Sequence, residues 1–451
     1  MARKAVRVAE VFDASPTTSS YQLWICFLCF LVTFLDGFDL TVIGVAIPKI
    51  AEFLGSKPSA LGLAMSASLV GSAIGALIMG TLADRLGRKW MLVISAFVFG
   101  LFSLLTIFIT SAGQLALFRF IAGLGLGGAM PNALAFGSEY APTRLRKTFT
   151  ATMFAGIPTG ATIGGLCGAW FIPLFGWQSV FVVGGVIPII IALITAVALP
   201  ESLEFLVARN KDEKRIRHIV AKIAPALAKD DQIEFRPSQK KLPGVPVKNL
   251  FTEKRALMTI FLWIGLIGAY YFTNILVAWA PTLLHKAGAT VVQYSYAYAA
   301  FNFGAVIAAI LVGRLMDWKS PYSILPIGFT IGFVSLVIFG WFASGALLTA
   351  ALLSVACGFF INGSQAGTIA LTTVSYPPDI RGTAVGWGYA VAKIGNVLAP
   401  AAGGYLLTAG WSVSRICTVN AFVGLFCAAV ILILRGRSAG AASVEVKTTP
   451  A

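Results

Sequence analysis

Charged residues are scarce in this sequence of 451 residues. Asp, Glu, Lys and Arg together form 12% of it, whereas soluble domains carry about 25%. Hydrophobic residues reach 58%, and the mean hydropathy is +0.85. The shortage of charge excludes an ordinary soluble enzyme, a disordered chain and a fibrous protein, and the surplus of apolar residues predicts an integral membrane protein.

Cysteine and histidine are also few, with six and two residues respectively. All the cysteines fall in apolar runs, where cysteine typically serves as a small buried residue, so we predict neither disulfides nor a metal site. Cys26 and Cys29 have CxxC spacing, but their run is apolar throughout and lacks the pattern of a redox motif. Because no nucleophile–base pair or phosphate-binding loop is evident either, we expect neither an enzyme nor a bound cofactor.

Twelve long apolar runs follow one another along the chain. A helix needs about 20 apolar residues to cross a bilayer, and these runs do not alternate as the strands of a membrane β-barrel do. Each run is therefore predicted to form a membrane-spanning helix. The runs lie near residues 22–48, 59–83, 90–111, 114–138, 148–171, 177–199, 256–283, 291–313, 321–342, 346–374, 383–408 and 412–434.

The runs form two halves that match each other in sequence. Gly80-Thr-Leu-Ala-Asp84 recurs as Gly313-Arg-Leu-Met-Asp317, and Tyr140-Ala-Pro142 recurs at nearly the same offset as Tyr376-Pro-Pro378. Two parallel six-helix halves with a midplane site between them describe one large class of secondary transporter. We therefore predict an all-α membrane protein with five parts. They are an N-terminal segment (1–21), a first six-helix half (22–199), a central loop (200–255), a second six-helix half (256–434) and a tail (435–451).

Basic residues outnumber acidic ones by 34 to 18 and lie mainly in alternate loops. Of the 34, 28 fall in the termini, the central loop and the other loops on that side, 4 fall on the opposite side, and Arg119 and Lys393 lie inside runs. By the positive-inside rule, both termini are expected in the cytoplasm of a multi-pass protein. The basic excess is then explained by topology, and we expect no nucleic-acid partner.

Two aspartates, Asp36 and Asp39, lie inside the first run. Asp36 is 14 residues beyond Gln22, which is about 21 Å of helix and places it near the midplane of the bilayer. Asp39 shares its face, because residues three apart are neighbours on a helix. Since a carboxylate at that depth costs at least a few kcal/mol, the pair predicts a proton carrier. The alternative is a structural pair that caps a neighbouring helix or binds Arg119.

Arg119, in the fourth run, lies at about the depth of Asp39, so we expect these two side chains to pair. A purely structural role is the alternative for this arginine. Glu139 marks the inner end of the same run, and only Asp36 and Asp39 among the acids lie deeper in a span.

Lys393 lies ten residues into the eleventh run, and no acid of its own half can neutralise it within the membrane. We expect it to bind the carboxylate of a substrate; the alternatives are an ion pair with Asp36 in one state and an ammonium extended to the membrane surface. Aromatic and amide side chains nearby, each alone more typical of packing, together fit a site for an aromatic ring. These candidates are Trp387, Tyr389, Tyr270, Tyr271, Asn274 and Phe303.

The loop between the second and third runs carries the most specific motif. It reads Gly80-Thr-Leu-Ala-Asp84-Arg85-Leu-Gly87-Arg88-Lys89. A basic loop that only sets topology would need neither the aspartate nor the glycines. The loop resembles, residue by residue, the signature of the major facilitator superfamily, and this resemblance implies a conformational latch that stabilises the outward-open state. Its residues are Gly80, Asp84, Arg85, Gly87, Arg88 and Lys89.

Five segments between residues 36 and 206 resemble one branch of that superfamily, the aromatic acid:proton symporters, and the similarity covers essentially the whole chain. The resemblance implies a transporter that imports benzoate, a hydroxybenzoate or a similar acid by alternating access, in the inner membrane of bacteria that degrade such acids. The charged residue of the eleventh helix is usually arginine in this family, and Lys393 loses bidentate carboxylate recognition. The segments are Asp36-Gly-Phe-Asp39, Gly80–Lys89, Glu139-Tyr140-Ala-Pro142, Phe175-Gly-Trp177-Gln-Ser-Val-Phe181 and Pro200-Glu-Ser-Leu-Glu-Phe-Leu206.

The resemblance also implies how transport is driven. The proton gradient, rather than a cofactor, would supply the energy, and the expected partners are protons, a small aromatic carboxylate and the lipid bilayer around a monomer. Two alternatives remain: a proton symporter of a non-aromatic organic acid or a sugar-like metabolite, and a receptor that binds without coupled flux. The proton-coupling candidates are Asp36, Asp39, Arg119 and Glu139.

Overall fold

The computed structural model describes residues 4–14, 18–209, 213–230, 233–237, 247–252, 255–342, 347–376 and 378–447. Eleven helical stretches in these ranges are long and apolar enough to cross a membrane. The remaining predicted run, 291–313, forms the 28-residue helix Val291–Trp318. The prediction of an all-α protein with two sets of six membrane helices is therefore confirmed.

The N-terminal half holds its six spans in seven helices, because the fifth span is divided at Ala155. A short strand and a short helix precede them, and three short helices and a second strand follow. The elements in chain order are β1 (Lys4–Arg7), α1 (Val8–Asp13), α2 (Ser20–Leu54), α3 (Pro58–Leu86), α4 (Arg88–Leu105), α5 (Ala112–Tyr140), α6 (Arg146–Phe154), α7 (Gly156–Phe175), α8 (Gln178–Ala198), α9 (Leu203–Ala208), α10 (Glu213–Ile223), α11 (Pro225–Ala228) and β2 (Ile233–Arg236).

The C-terminal half repeats the arrangement, with its fourth span interrupted by a π-helical turn at Gly358–Asn362. Such turns insert an extra residue into a helix and often accompany functional positions. The helices are α12 (Ala256–Lys286), α13 (Val291–Trp318), α14 (Pro321–Phe342), α15 (Leu347–Cys357), α16 (Gly363–Ser375), α17 (Pro378–Thr408) and α18 (Val413–Lys447).

Local sequence sets where the long helices begin and end. Ser19 caps α2, its side chain accepting from the backbone N–H of Gln22, whose own side chain accepts from the Ser19 N–H. Thr290 and Gln293 form the same capping box at the start of α13. Gly55 ends α2 with a φ of 58°, a left-handed conformation that glycine adopts without strain.

Glycines on α3 and α5 let these two helices pack with their backbones in contact. A Cβ at Gly71 or Gly75 would overlap the carbonyls of Phe120 or Leu124, and one at Gly123 would overlap the carbonyl of Ser68. Small residues at such spacing allow close helix packing within membranes. The contact fixes α5 against α3 at the depth of the charged residues described below.

The short helices and the two strands fold into a small subdomain on the side of the membrane where α2 begins. β1 and β2 pair in parallel, with Lys4 opposite Ile233. The buried side chains of α1, α9 and α10 join the core of the N-terminal half. A polar central loop was predicted between the two halves, but the strands were not, because each is only four residues long.

The two membrane faces of the molecule differ in which chain segments they carry. The terminal face is the one where α2 begins and α18 completes its span, and the opposite face carries the connections at residues 55–57, 287–290 and 409–412. The halves touch near the opposite face. There the Ser59 N–H donates to Thr408 Oγ1 at 2.9 Å, and the Trp170 indole N–H donates to the Tyr296 hydroxyl at 3.0 Å.

Candidate functional site

A buried ion pair lies between α2 and α5. Arg119 Nη2 binds Asp39 Oδ2, and both side chains are shielded from solvent. The predicted contact between these residues is confirmed. Ser68 Oγ lies 3.5 Å from the same nitrogen. The Nε and Nη1 atoms of Arg119 are buried without a hydrogen-bond partner among the described residues, so the guanidinium relies mainly on a single carboxylate.

Asp36 lies one helical turn from Asp39, on the side nearer the terminal face. Its side chain is half-buried and makes no hydrogen bond with any residue that the structure describes. The charge that attracts it is the ammonium of Lys393, which belongs to the other half. The two groups do not form an ion pair within 4.0 Å. Asp36 therefore faces the interface between the halves, and within the described ranges no protein donor binds its oxygens.

Lys393 projects from α17 toward the N-terminal half. Its Nζ donates to Ser72 Oγ of α3 at 3.2 Å. Ser72 is 14 residues into α3, about 21 Å from the opposite face, so the ammonium is not extended to the membrane surface as one of the alternatives required. The substrate and Asp36 stay as candidate partners, since Lys393 lies within reach of the space between the halves and attracts Asp36.

Three more predicted binding residues lie beside Lys393. Tyr389 is one turn away on the same face of α17, and its ring meets that of Tyr270 edge to face, with centroids 6.2 Å apart and an interplanar angle of 75°. Asn274 Nδ2 donates to Asn396 Oδ1 and, at 3.0 Å, to the carbonyl of Tyr270. The structure thus brings an ammonium, two phenol rings and an amide pair to one region between α12 and α17.

Of the other predicted binding residues, Tyr271 and Trp387 point away from Lys393. The Tyr271 hydroxyl donates to Asn420 Oδ1 at 2.7 Å, so this side chain faces α18 inside its own half. Trp387 stacks on Trp263, with centroids 6.4 Å apart, and its position six residues before Lys393 places it about 120° around the helix. Exposed Phe303 lies one turn beyond Ala299, which contacts α7. Of these three, Phe303 is the residue on the helix side that faces the N-terminal half.

The space in front of Lys393 opens toward the terminal face. On α3, Gly62 contacts Pro400, whereas a Cβ at Gly80, five turns further along the same face, would have no neighbour within 4 Å among the described residues. On α17, Gly404 contacts Pro58, whereas Gly386, five turns away, again has none. The two helices therefore meet at the opposite face and separate at the terminal face.

The predicted latch residues meet acidic and hydroxyl groups at the terminal face, and one of these groups is Glu139. Arg88 forms an ion pair with Glu139, and the Ser202 hydroxyl donates to Glu139 Oε2 at 2.6 Å. Glu139 is 20 residues from Arg119 on α5, about 30 Å of helix. The structure therefore places Glu139 beside the latch and far from the buried pair, so its position does not support the predicted grouping with the proton-coupling residues.

Glu201 lies in one of the segments that carry the family resemblance, but it was not among the predicted site residues. Gly87, with a φ of 100°, precedes α4 and offers no side chain to cap it. Glu201 Oε1 accepts from the Lys89 N–H at 3.2 Å, supplying a carboxylate at this helix N-terminus, where negative charge is stabilising. An uncapped helix start beside a family motif was the available signal. Arg85 is exposed, and the side chain of Asp84 lies outside the part of the chain that the structure describes.

Known proteins match both the sequence and the architecture. Residues 29–363 and 262–450 match the Major Facilitator Superfamily. The chain is 36% identical to the 4-hydroxybenzoate transporter PcaK of Pseudomonas aeruginosa, with 94% of this chain and 95% of that protein covered. It is 33% identical to a gallate transporter of Pseudomonas putida, with 99% and 97% covered.

A solved structure shows the same fold at lower identity. The crystal structure of a D-xylose-proton symporter has a TM-score of 0.72 and 18% identity to this chain, covering 91% of it and 97% of the symporter. This similarity concerns the fold alone, whereas the two relatives above, at 36% and 33% identity, span nearly the whole chain. The chain therefore belongs to the major facilitator superfamily and, within it, to the family of aromatic acid transporters.

Proposed function

We propose that the protein is a proton-coupled importer of a small aromatic carboxylate such as benzoate or a hydroxybenzoate. It works by alternating access as a monomer in the bacterial inner membrane, with both termini in the cytoplasm. The observation that carries this proposal is the ammonium of Lys393, which reaches Ser72 of the other half beside the space that Asp36 faces. Relatives named as 4-hydroxybenzoate and benzoate transporters support the substrate class.

Coupling follows from competition for one ammonium. While Asp36 is ionised, its carboxylate attracts Lys393 and competes with an anionic substrate. A proton on Asp36 removes that competition, so the carboxylate of the substrate binds Lys393 in its place. Proton and substrate then bind together, which is the requirement for symport.

The buried pair of Asp39 and Arg119 serves as the second group of the proton path. Because a buried charge without a partner is costly, Arg119 requires the carboxylate that it binds on Asp39. A proton that reaches Asp39 from Asp36, one turn away, would release Arg119, whose Nε and Nη1 already lack partners among the described residues. Release of Arg119 would break the ion pair between α2 and α5, so protonation would change how these two helices pack against each other.

The ring of the substrate would lie between α12 and α17. Tyr389 and Tyr270 supply aromatic surface next to Lys393, and the amides of Asn274 and Asn396 can bind a ring hydroxyl by hydrogen bonds. Rings favour edge-to-face or offset contacts with such side chains. Phe303, on the side of α13 that faces the N-terminal half, would form a further wall of this site.

Reconstituted protein tests the proposal. Proteoliposomes with an imposed inward proton gradient are given labelled 4-hydroxybenzoate or benzoate, and wild type is compared with Asp36→Asn and with Lys286→Gln, which changes an exposed charge at the opposite face. We expect accumulation by wild type and the control, collapse with an uncoupler, and at least a tenfold loss for Asp36→Asn, which still exchanges substrate. Accumulation by Asp36→Asn equal to wild type would contradict coupling through this residue. Uptake of non-aromatic acids alone would favour the alternative substrate class.

A further inference from the structure

The helix α10 has two chemically distinct faces. Its apolar side chains are buried in the core of the N-terminal half, and they are Ile216, Ile219, Val220 and Ile223. The side chains on the other face are exposed and mostly basic, and they are Lys214, Arg215, His218 and Lys222. Because the apolar face is covered by the protein, the basic face is the one that meets the surroundings of the helix.

One end of this basic face touches the start of a membrane helix. Lys222 Nζ lies 4.8 Å from the ring centroid of Tyr21, the second residue of α2. The next turns of α2 expose large apolar side chains outward, among them Trp24 and Phe27. Because exposed aromatic residues mark the level of the lipid headgroups, Lys222 lies at that level.

The middle of the face is placed by a second membrane helix. The charge of Arg215 acts on Lys89, at the start of α4, and Lys89 Nζ lies 5.7 Å from the ring centroid of Trp90. Trp90 is also exposed on the outer surface of the span. Two separate helix starts therefore locate the basic face of α10 beside the headgroup layer of the terminal face.

Basic residues exceed acidic ones along this helix. Its sequence contains Lys214, Arg215, Arg217 and Lys222 but a single acid, Glu213. Arg217 turns inward, where it binds Glu213 at 3.0 Å and the carbonyl of Asp230 at 3.1 Å. Because the one acid of the helix is engaged by the one inward cation, the excess positive charge of α10 lies on its outward face.

We propose that the basic face of α10, with Lys89 at its edge, binds the phosphate headgroups of anionic phospholipids in the surrounding bilayer. The headgroups lie at the depth of Trp24 and Trp90, and their negative charge complements the outward cations of the helix. Basic clusters next to a membrane helix recognise anionic lipid in this way. The subdomain formed by β1, β2 and the short helices is then held against both the N-terminal half and the lipid surface.

Lipid binding to the purified full-length protein tests this proposal. Native mass spectrometry in detergent gives the apparent affinity for phosphatidylglycerol and for phosphatidylcholine. The test variant combines Lys214→Gln, Arg215→Gln and Lys222→Gln. The control variant combines Lys57→Gln, Lys229→Gln and Lys286→Gln, which remove the same charge from exposed positions outside α10.

The expected result is preferential binding of phosphatidylglycerol by wild type. The test variant should lose at least about tenfold of this affinity, since each basic residue near the surface contributes about fivefold, and the control should stay within about twofold. Because all the substituted positions are exposed, we expect both variants to have the elution volume and the unfolding temperature of wild type, which shows that they are folded. A folded test variant with the lipid preference of wild type would overturn the proposal, as would equal binding of both lipids by wild type.

Discussion

His285 Nε2 of α12 lies 2.9 Å from Glu52 Oε1 of α2, so this contact joins the two halves at the opposite face. Lys49 Nζ holds the other oxygen of the same carboxylate at 2.7 Å. The ring of Tyr294, on α13, packs edge to face on His285. Because α2 and α12 must separate when this face opens, the contact belongs to the closed arrangement of the opposite face.

The first prediction concerns the contact between Glu52 and His285. His285→Ala removes the imidazole that Glu52 contacts across the halves, so it should weaken closure of the opposite face. The side chains of His285 and Glu52 are 33% and 50% exposed, so the effect should be at most about 1 kcal/mol, or about fivefold in population. Spin labels at Lys57→Cys and Ala409→Cys would report the distance across this face.

The distance distribution should shift toward the long, open distance in His285→Ala. Glu52→Ala should shift it to a similar extent, because it removes the other partner of the same contact. Distributions equal to that of wild type in both variants would show that this contact does not hold the face closed. Lys49→Gln is the matched control, since Lys49 binds the same carboxylate from its own helix and leaves the contact between the halves intact.

The second prediction concerns the buried pair. Arg119→Ala leaves Asp39 as an uncompensated buried charge and should destabilise the protein by about 3–5 kcal/mol. Adding Asp39→Leu to Arg119→Met removes both charges and should restore most of the thermal stability without restoring gradient-driven uptake. Thermal unfolding in detergent and uptake into proteoliposomes measure the two effects separately. If Arg119→Ala unfolds at the temperature of wild type, the pair is not what stabilises this region.

The third prediction concerns Lys393. Lys393→Gln removes the only cation that α17 presents at mid-depth among the residues the structure describes. A hydrogen bond to a charged group contributes about 1.5–3 kcal/mol. The KM for an aromatic acid should therefore rise at least about tenfold. Lys393→Arg keeps the charge and adds a bidentate donor set, so it should retain uptake with an altered choice among ring substituents. Initial rates over a substrate series test this. An unchanged KM in Lys393→Gln would remove the lysine from the binding site.

The fourth prediction concerns the latch. Among the described residues, nothing lies within 4 Å of a Cβ at Gly80. Gly80→Leu should therefore leave the present arrangement, in which the terminal face is open, undisturbed. When the terminal face closes, the added side chain must fit between α3 and α17, at a cost of about 1–3 kcal/mol. Uptake should fall by about five- to a hundredfold, and the spin-label distance across the opposite face should stay short. Gly113→Leu serves as the control and should transport as wild type, because a Cβ there meets Ser111 Oγ at an ordinary contact distance of 3.9 Å.

Much of the fold could be predicted from the sequence because its signals are local. Long apolar runs, capping residues such as Ser19 and Thr290, and the distribution of Lys and Arg each act over a few residues. The depth of Asp39 and of Arg119 could be counted from the ends of their helices, since each residue of an α-helix adds the same rise along its axis. That count was sufficient to predict their contact.

The direction of side chains around a helix could not be predicted in the same way. Tyr270 and Tyr271 are neighbours in sequence, yet Tyr270 meets Tyr389 beside Lys393 and Tyr271 binds Asn420 on α18.

Hydrophobic burial and helix rise are local properties, so the amino-acid order alone is enough to say which residues enter the membrane and how deep they lie.

Contacts between distant helices depend on the packing of the whole molecule. Glu139 and Glu201 come together with Arg88 and Lys89 only because three helix ends meet at the terminal face. Lys393 likewise reaches Ser72 because α17 packs against α3 across the two halves. Which residues face each other at these places follows from the folded arrangement of the helices, because the partners are far apart in the chain and no local pattern links them.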